Sequence, residues 1–315
     1  MKKWLSIALA AAFAAGLAGC GSKKQVIIFH ADALTVPMNQ IIAAYQRLHP
    51  DVEIHAEAKG SVLCAQTARQ RDCDILMVAD ARIIEQMQPQ YAEWNAIFTT
   101  NEMVIAYSQK SKHAAEINEQ NWYEVLTRPG VVFGHSNPEH DPCGYWTLIM
   151  WKLADLHYGP MADGRIISET LAAARTPESI KSDTHIMLNL VDSSAGMDYC
   201  FVYKNQAVEQ NLKIVELPKE INLSDPDLGD FYGRASLPEP INRTGAPIAF
   251  SLTLLKKARE PEEAVKFLSY MLGPDGRKVL RGNKAMASFN IVHPPIVDHP
   301  NKVPAALKAV MFDEK

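Results

Sequence analysis

The sequence lacks the features that mark nucleic-acid-binding and integral membrane proteins. It contains no long run of lysine and arginine, which argues against nucleic-acid binding and against electrostatic docking to a membrane. Beyond the first twenty residues, no apolar stretch approaches the ~20 residues of a transmembrane helix. Internal repeats and low-complexity segments are also absent. We therefore expect a globular protein whose folded part does not cross a membrane.

Cysteine is scarce, and its spacing does not match the common metal sites. The five cysteines and ten histidines include no Cys-x-x-Cys or His-x-x-His pair, which is the spacing of many zinc sites. No such spacing supports a cation site built from His30, His55, His135, His140 and Asp141. A nucleophile, a base and an orienting group cannot be recognised together either. We therefore expect neither an enzyme nor a bound cofactor.

The first twenty residues have the pattern of an export leader. Lys2 and Lys3 precede an apolar stretch, 5–17, that is too short to span a bilayer as a mature helix, so residues 1–19 are predicted to be a secretory signal peptide. The leader ends in Leu-Ala-Gly followed by Cys20, which resembles a lipobox and implies cleavage before Cys20 and diacylation of its thiol. Residues 20–24 would then be a lipid-anchored linker. The alternative is an ordinary signal peptide with an incidental cysteine.

The chain that remains is long enough for two folded units. About 295 residues follow the leader, which is too many for one simple core. Removal of Lys2 and Lys3 leaves 30 basic residues against 36 acids, a net charge of about −6. Four cysteines remain, and in an exported chain they permit two disulfides, with three possible pairings. These are Cys64, Cys73, Cys143 and Cys200.

Strand patterns and helix patterns alternate along the chain. Strands are predicted at 26–29, 52–58, 74–78, 103–107, 131–134 and 197–203, and helices from Pro37 onward, at 145–156 and at 261–272. This alternation predicts an α/β architecture with mostly parallel sheets that are flanked by helices. Ligands of such sheets bind beyond the carboxyl ends of the strands, where helix N-termini present unpaired N–H groups.

Four turns at predicted strand ends carry small or hydroxyl residues beside a helix start. They are 30–36, 59–63, 136–145 and 203–206. Together they can form a cage of backbone and hydroxyl donors around an anion without any lysine or arginine. Plain helix capping is the alternative interpretation, because every α/β protein has several such turns.

The same turns carry a family resemblance. The matching segments are 29–31, 60–62, 136–138, 141–145, 198–203, 217–223 and 245–248. In order and spacing, from about residue 26 to residue 285, they resemble the tungstate and molybdate binding proteins of the WtpA type, the solute-binding components of ABC importers. The resemblance implies a two-lobed periplasmic binding fold of the second type, which closes on its anion like a hinge. One lobe would comprise 25–108 and 251–315, the other 109–250, with crossings near Ser108 and Ser251.

The resemblance also implies which residues hold the anion. The positions are Asp32, Ala33, Ser61, Asp141, Pro142, Asp192 and Tyr203. Tungsten(VI) and molybdenum(VI) are hard centres that accept carboxylate oxygens as direct ligands, and the resemblance implies one Asp and one Glu in this role. Asp141 matches the Asp. The Glu position falls on Asp192 if one insertion is allowed and on Ser193 without a gap.

Two further expectations follow from the resemblance. Relatives carry Gly-Ser where this chain has Asp32-Ala33, so Asp32 is either a capping acid that points to solvent or an acid that alters selectivity, while the N–H of Ala33 can still donate. Cys64 and Cys143 are family positions that flank the expected cleft, and we expect a disulfide between them. No comparable reasoning pairs Cys73 with Cys200.

We therefore expect a monomeric, extracytoplasmic lipoprotein, tethered on the periplasmic side or at the cell surface. It would capture tungstate or molybdate between two lobes and deliver it to the permease and ATPase subunits of an ABC importer, without catalysis or contact with nucleic acid. The alternatives are a receptor for another tetrahedral oxyanion, such as phosphate, and an exported enzyme that uses His30 or Asp141 as an acid or base. The sequence distinguishes neither tungstate from molybdate nor inner from outer membrane.

Overall fold

The computed structural model describes residues 23–182, 184–193, 195–282 and 289–313. The predicted leader, Cys20 and most of the linker 20–24 lie outside these ranges. In the described part of the chain, no helix combines the length and the apolar character needed to cross a membrane.

Strands and helices alternate over most of the described chain. The strands are β1 Lys24–Ala31, β2 Val52–Lys59, β3 Ile75–Val78, β4 Ala96–Thr100, β5 Met103–Tyr107, β6 Phe133–Ser136, β7 Ile180–Lys181, β8 Tyr199–Tyr203, β9 Lys213–Val215, β10 Ser236–Leu237, β11 Arg243–Thr244, β12 Ala249–Leu254 and β13 Asn290–Val297. The helices are α1 Thr35–Leu48, α2 Ser61–Gln70, α3 Ala81–Glu85, α4 Trp122–Leu126, α5 Pro142–Tyr158, α6 Ile167–Ala174, α7 Thr184–Asp192, α8 Lys204–Glu209, α9 Lys219–Asn222, α10 Gly229–Tyr232, α11 Pro261–Leu272, α12 Pro274–Arg281 and α13 Ala305–Met311.

The first lobe is built on a six-stranded sheet in the order β13-β4-β12-β3-β1-β2, and we call it, with α1–α3 and α11–α13, the six-stranded lobe. Its interior strand β1, next to the edge strand β2, is apolar on both faces because helices cover both. Val26 and Ile28 pack in the large core with α1 and α11, whereas Phe29 joins the separate cluster beneath α2. Helix α11 also contacts β1 and β12, so this helix from the C-terminal part of the chain packs on the six-stranded lobe.

The second lobe is built on a five-stranded sheet in the order β7-β6-β8-β5-β9, and we call it, with α4–α10 and the β10–β11 pair, the five-stranded lobe. Helix α5 lies on one face, where the buried rings of Trp151, Phe133 and Phe201 meet edge to face. On the other face, Met187 of α7 packs among apolar side chains of β5 and β8. This arrangement brings the N-termini of α5 and α8 to the side that faces the six-stranded lobe.

The predicted two-lobed α/β architecture is confirmed, with two differences in detail. The sheets are mixed: β1 pairs in parallel with β2 and β3, and β6 with β7 and β8, but β4, β5, β9, β12 and β13 pair antiparallel. The second difference is that strand β5 lies in the five-stranded sheet and not in the six-stranded one. The first crossing between the sheets therefore lies at 101–102 instead of near Ser108. The second lies at 245–248, just before β12. An apolar strand such as β5 has the same pattern in either sheet, so the sequence did not locate the crossing.

Candidate functional site

The turn between β2 and α2 brings the six-stranded lobe against the other lobe. Ser61 begins α2 and is fully buried, and its Oγ accepts the N–H of Ala79 at 2.9 Å. A Cβ on Gly60 would lie 2.6 Å from the carbonyl oxygen of His140, while the N–H of Val62 donates to that oxygen at 3.2 Å. The lobes are therefore closed on each other at this turn.

Asp141 lies directly opposite that turn. It is the N-cap of α5, and its Oδ1 accepts the N–H of Cys143 at 3.3 Å, with Pro142 in the first helical turn. The residue is 5 % exposed, and its Cβ lies 3.0 Å from the position of a Cβ on Gly60. A buried carboxylate at a helix N-terminus is favoured by the positive end of the helix dipole.

Tyr203 completes the same side of the cleft. It ends β8 and precedes α8, and it is 1 % exposed. Its hydroxyl has no hydrogen-bond partner within the described chain. Burial, followed by the neighbouring groups of Cys143 and Asp141, holds the pKa of Tyr203 well above its usual range. The hydroxyl therefore stays protonated and can donate to a ligand oxygen.

The Asp32–Ala33 turn, after β1, is buried as well. Asp32 is 8 % exposed and Ala33 is 2 % exposed, so the interpretation of Asp32 as a capping acid that points to solvent is wrong. The carbonyl of Ala33 accepts the side-chain amide of Asn205 at 2.8 Å. Asn205 in turn accepts the amide of Asn101, at the crossing between the sheets, at 2.8 Å. The first turn is thus tied to the N-terminus of α8 in the other lobe.

The two candidates for the second carboxylate position lie elsewhere. Asp192 and Ser193 are exposed at the C-terminal end of α7, and the Ser193 hydroxyl donates to the carbonyl of Asn189. It is the opposite end of α7 that lies near the cleft, because Thr184 accepts the amide of Gln206 in α8. Nine helical residues place Asp192 about 12 Å from that end. The structure brings Ser61, Asp141, Pro142 and Tyr203 together with the Asp32–Ala33 turn, but not Asp192.

A fifth strand-end turn also belongs to this cleft, and the sequence analysis missed it. Asp80 follows β3, is 4 % exposed, and accepts the hydroxyl of Tyr145, in the first turn of α5, at 2.8 Å. Arg82 pairs with Asp80 at 2.8 Å. The available signal was an acid two residues after the end of the predicted strand 74–78, at the same sheet edge as the other turns.

The expected disulfide between Cys64 and Cys143 is not formed, and the four cysteines of the described chain are free thiols. Each sulfur is held inside its own lobe. The Cys64 thiol donates to the carbonyl of His30 at 3.3 Å, whereas that of Cys143 contacts the carbonyl of Phe201 at 3.7 Å. Burial raises the pKa of both thiols, with smaller effects of Asp32 on Cys64 and of Asp141 on Cys143. These are inert core thiols that pack behind the cleft.

The buried histidines contact backbone carbonyls. His30 Nδ1 lies 2.9 Å from the carbonyl oxygen of Ala31, and His135 Nδ1 lies 2.8 Å from that of Ser136. Burial lowers the pKa of both, that of His135 to about 4. Both rings are therefore neutral at pH 7. In the part of the chain that is described, no group of three or more His, Cys, Asp or Glu side chains is arranged to hold a metal ion.

Comparison with known proteins finds similarity to solute-binding proteins in both sequence and fold. The family model described as bacterial extracellular solute-binding protein matches residues 26–283. The molybdate/tungstate-binding protein WtpA of Pyrococcus abyssi is 37 % identical over 82 % of this chain and 83 % of its own length. The protein of the same name from Thermococcus kodakarensis is 33 % identical over 97 % and 95 %. Among solved structures, the periplasmic molybdate-binding protein of Azotobacter vinelandii aligns over 85 % of this chain and 100 % of its own, with a TM-score of 0.60 and 16 % identity, which shows the shared fold.

Proposed function

This chain belongs to the bacterial extracellular solute-binding proteins, as a relative of the molybdate/tungstate-binding proteins of the WtpA type, and we propose that it captures tungstate or molybdate between its two lobes. One observation carries the proposal. Ser61, Asp141 and Tyr203 come from three separate strand ends, all three are buried, and they meet where the lobes close.

The chemistry of this cleft suits a metal oxyanion better than a simple dianion. A carboxylate close to sulfate is repulsive, and Asp141 and Asp32 are both buried here. Tungsten(VI) and molybdenum(VI) accept carboxylate oxygens as ligands, which converts the repulsion into coordination. We assign this role to Asp141. A role for Asp192 requires a rearrangement of α7, because its side chain is exposed in the closed structure.

The cellular part of the proposal concerns delivery. The family places the protein outside the cytoplasm, and we propose that a lipid on Cys20 holds it as a monomer beside the permease and ATPase subunits of an ABC importer. A tether of this kind raises the effective concentration of the receptor at its partner without a second anchor. Mass spectrometry of the membrane-extracted protein tests it: a diacylated N-terminal Cys20 is expected, and an unmodified mature N-terminus would contradict the lipid anchor.

Calorimetric titration of residues 21–315 with tungstate, molybdate, sulfate and phosphate tests the ligand. We expect strong binding of tungstate or molybdate and much weaker binding of sulfate, which has no proton to donate to Asp141. Strong binding of phosphate with none of tungstate or molybdate would overturn the proposal in favour of a phosphate receptor, because a phosphate proton can donate to a buried carboxylate.

A metal-edge X-ray absorption spectrum of the complex tests the coordination separately. More than four oxygens around the metal is the expected result. A spectrum with four oxygens would remove the direct bond to Asp141 and leave the receptor role intact.

A further inference from the structure

A buried hydrogen bond joins the two lobes beside the anion cleft. The hydroxyl of Tyr145, in the five-stranded lobe, donates to Oδ2 of Asp80, in the six-stranded lobe, at 2.8 Å. Tyr145 is 1 % exposed and Asp80 is 4 % exposed. Burial, followed by the charge of Asp80 and this hydrogen bond, holds the pKa of Tyr145 well above its usual range. The phenol is therefore a permanent donor across the closed interface.

Arg82 orients the Asp80 carboxylate, which is the acceptor of this bond, within the six-stranded lobe. Its Nε donates to Asp80 Oδ1 at 3.0 Å and its Nη2 to Oδ2 at 2.8 Å. Its backbone N–H also donates to Oδ1, at 3.0 Å, as the N-cap bond of α3. These bonds lie within the six-stranded lobe, so they are independent of closure. The Asp80 carboxylate is consequently oriented and neutralised, and it does not itself offer a site to an anion.

The same arginine reaches across to the five-stranded lobe. Its guanidinium carbon lies 4.9 Å from the ring centroid of Trp146, within cation–π range. Its Nη1 donates to the carbonyl oxygen of Thr244 at 2.8 Å. Opening of the lobes would break the bond of Tyr145 to Asp80 and both contacts of Arg82. The closed interface is therefore held by side chains at the edge of the cleft that are not among the proposed anion ligands.

We propose that Asp80, Arg82 and Tyr145 form an interlobe latch, which sets how slowly the closed protein releases its anion. The inference rests on the proposed capture of an oxyanion between the lobes and adds positioning residues outside the proposed ligand set. A ligand held by two lobes leaves through the open form, so contacts that stabilise only the closed form slow dissociation. Association from the open form does not depend on them.

Tyr145→Phe tests the latch, because it removes one hydroxyl and keeps the ring in the core. Tyr158→Phe is the matched control: both tyrosines belong to α5, and the Tyr158 hydroxyl donates to the carbonyl of Glu119 at 2.6 Å inside the five-stranded lobe. A hydrogen bond to a charged group contributes enough to change a rate about tenfold. With tungstate in stopped-flow fluorescence, we expect Tyr145→Phe to raise koff about tenfold with kon within twofold, and Tyr158→Phe to change neither.

A second measurement needs no ligand and separates the two proposals. Small-angle scattering of the ligand-free proteins should give a larger radius of gyration for Tyr145→Phe than for wild type and Tyr158→Phe, with equal thermal unfolding showing that the variants are folded. An unchanged koff in Tyr145→Phe would overturn the latch. If wild type binds neither tungstate nor molybdate, the proposed ligand fails, and the scattering alone decides: equal radii for all three proteins would then contradict the latch.

Discussion

At Tyr203, a substitution can change ligand binding without lowering the stability of the folded protein. Its buried hydroxyl lacks a partner within the described chain, so Tyr203→Phe breaks no hydrogen bond of the folded protein. We expect the free energy of unfolding to stay equal or to rise slightly, and the affinity for tungstate to fall about tenfold, because one donor to the anion is lost. Calorimetric titration and thermal unfolding of the same samples check both.

Tyr45→Phe is the matched control for that change. The Tyr45 hydroxyl is also buried without a partner in the described ranges, but its ring packs on His49 and Phe267, away from the cleft. Its affinity for tungstate should equal that of wild type. Wild-type affinity in Tyr203→Phe would remove this tyrosine from the ligand set.

Glu209 makes the free energy of unfolding depend on pH, and this dependence can be measured without ligand. Burial raises its pKa to about 7, opposed by the hydrogen bond from Asn205, from an ordinary value of 4.5. The folded protein therefore keeps a proton that the unfolded chain releases between about pH 4.5 and pH 7. The stability that the neutral carboxyl contributes is fully present below about pH 4.5, and it is lost as the pH rises through about 7.

Glu209→Gln should therefore stabilise the protein at high pH alone. The amide can still accept from Asn205, and it avoids the buried charge. We expect a gain of about 2 to 3 kcal/mol in the free energy of unfolding at pH 8, which nearly disappears at pH 4. Denaturant unfolding at both pH values checks it, with the exposed Glu119→Gln as a control that changes little at either. An equal gain at pH 4 and pH 8 would contradict the assignment.

At the scale of elements, the turn between β2 and α2 is the part that must fit against the other lobe. Gly60 has φ −55° and ψ 137°, which alanine adopts without strain, but the added Cβ would meet the carbonyl oxygen of His140 at 2.6 Å. We expect Gly60→Ala to hinder closure and to weaken tungstate binding at least tenfold. Unfolding of the six-stranded lobe should change little.

Gly233→Ala is the control for this prediction. Its φ is −60°, and a Cβ there would have no neighbour closer than 3.4 Å, so affinity should be retained. If Gly60→Ala binds tungstate as tightly as wild type, the closed contact seen here is not the one that holds the ligand.

Elements also show what the sequence could predict. The turns that carry Ser61, Asp141 and Tyr203 were predicted because a strand, a turn and a helix start are local patterns, and the family resemblance then pointed to these residues within them. Asp80 escaped because its role depends on Tyr145, which is distant in the chain and in the other lobe. The disulfide between Cys64 and Cys143 was wrongly expected for a similar reason. The proximity of both residues to one cleft does not determine where each sulfur points.

Sheet pairing is the other limit. Strands β4, β12 and β13 are neighbours in one sheet although they are separated by up to about 190 residues, and no local pattern specifies that pairing. The apolar strand β5 could belong to either sheet until its partners β8 and β9 were known. Asp192 is a similar case, because its exposure follows from which end of α7 enters the cleft.

On the scale of the whole molecule, an acidic protein is proposed to bind a dianion. Without the predicted leader the chain would carry a net charge of about −6, so long-range steering does not favour the ligand. The site compensates locally, with helix N-termini, buried hydroxyls and a carboxylate suited to a metal centre. In the proposed mechanism, two lobes that close over these groups exclude water and retain the anion, while the interlobe latch governs its release.

The proposed capture between the lobes is tested most directly by a crystal structure of residues 21–315 with tungstate, measured at a tungsten absorption edge. The anomalous difference map should contain one strong peak in the cleft between Ser61, Asp141 and Tyr203. A protein that binds tungstate in solution but shows its strong peak anywhere else, with this cleft empty, would contradict the proposed site.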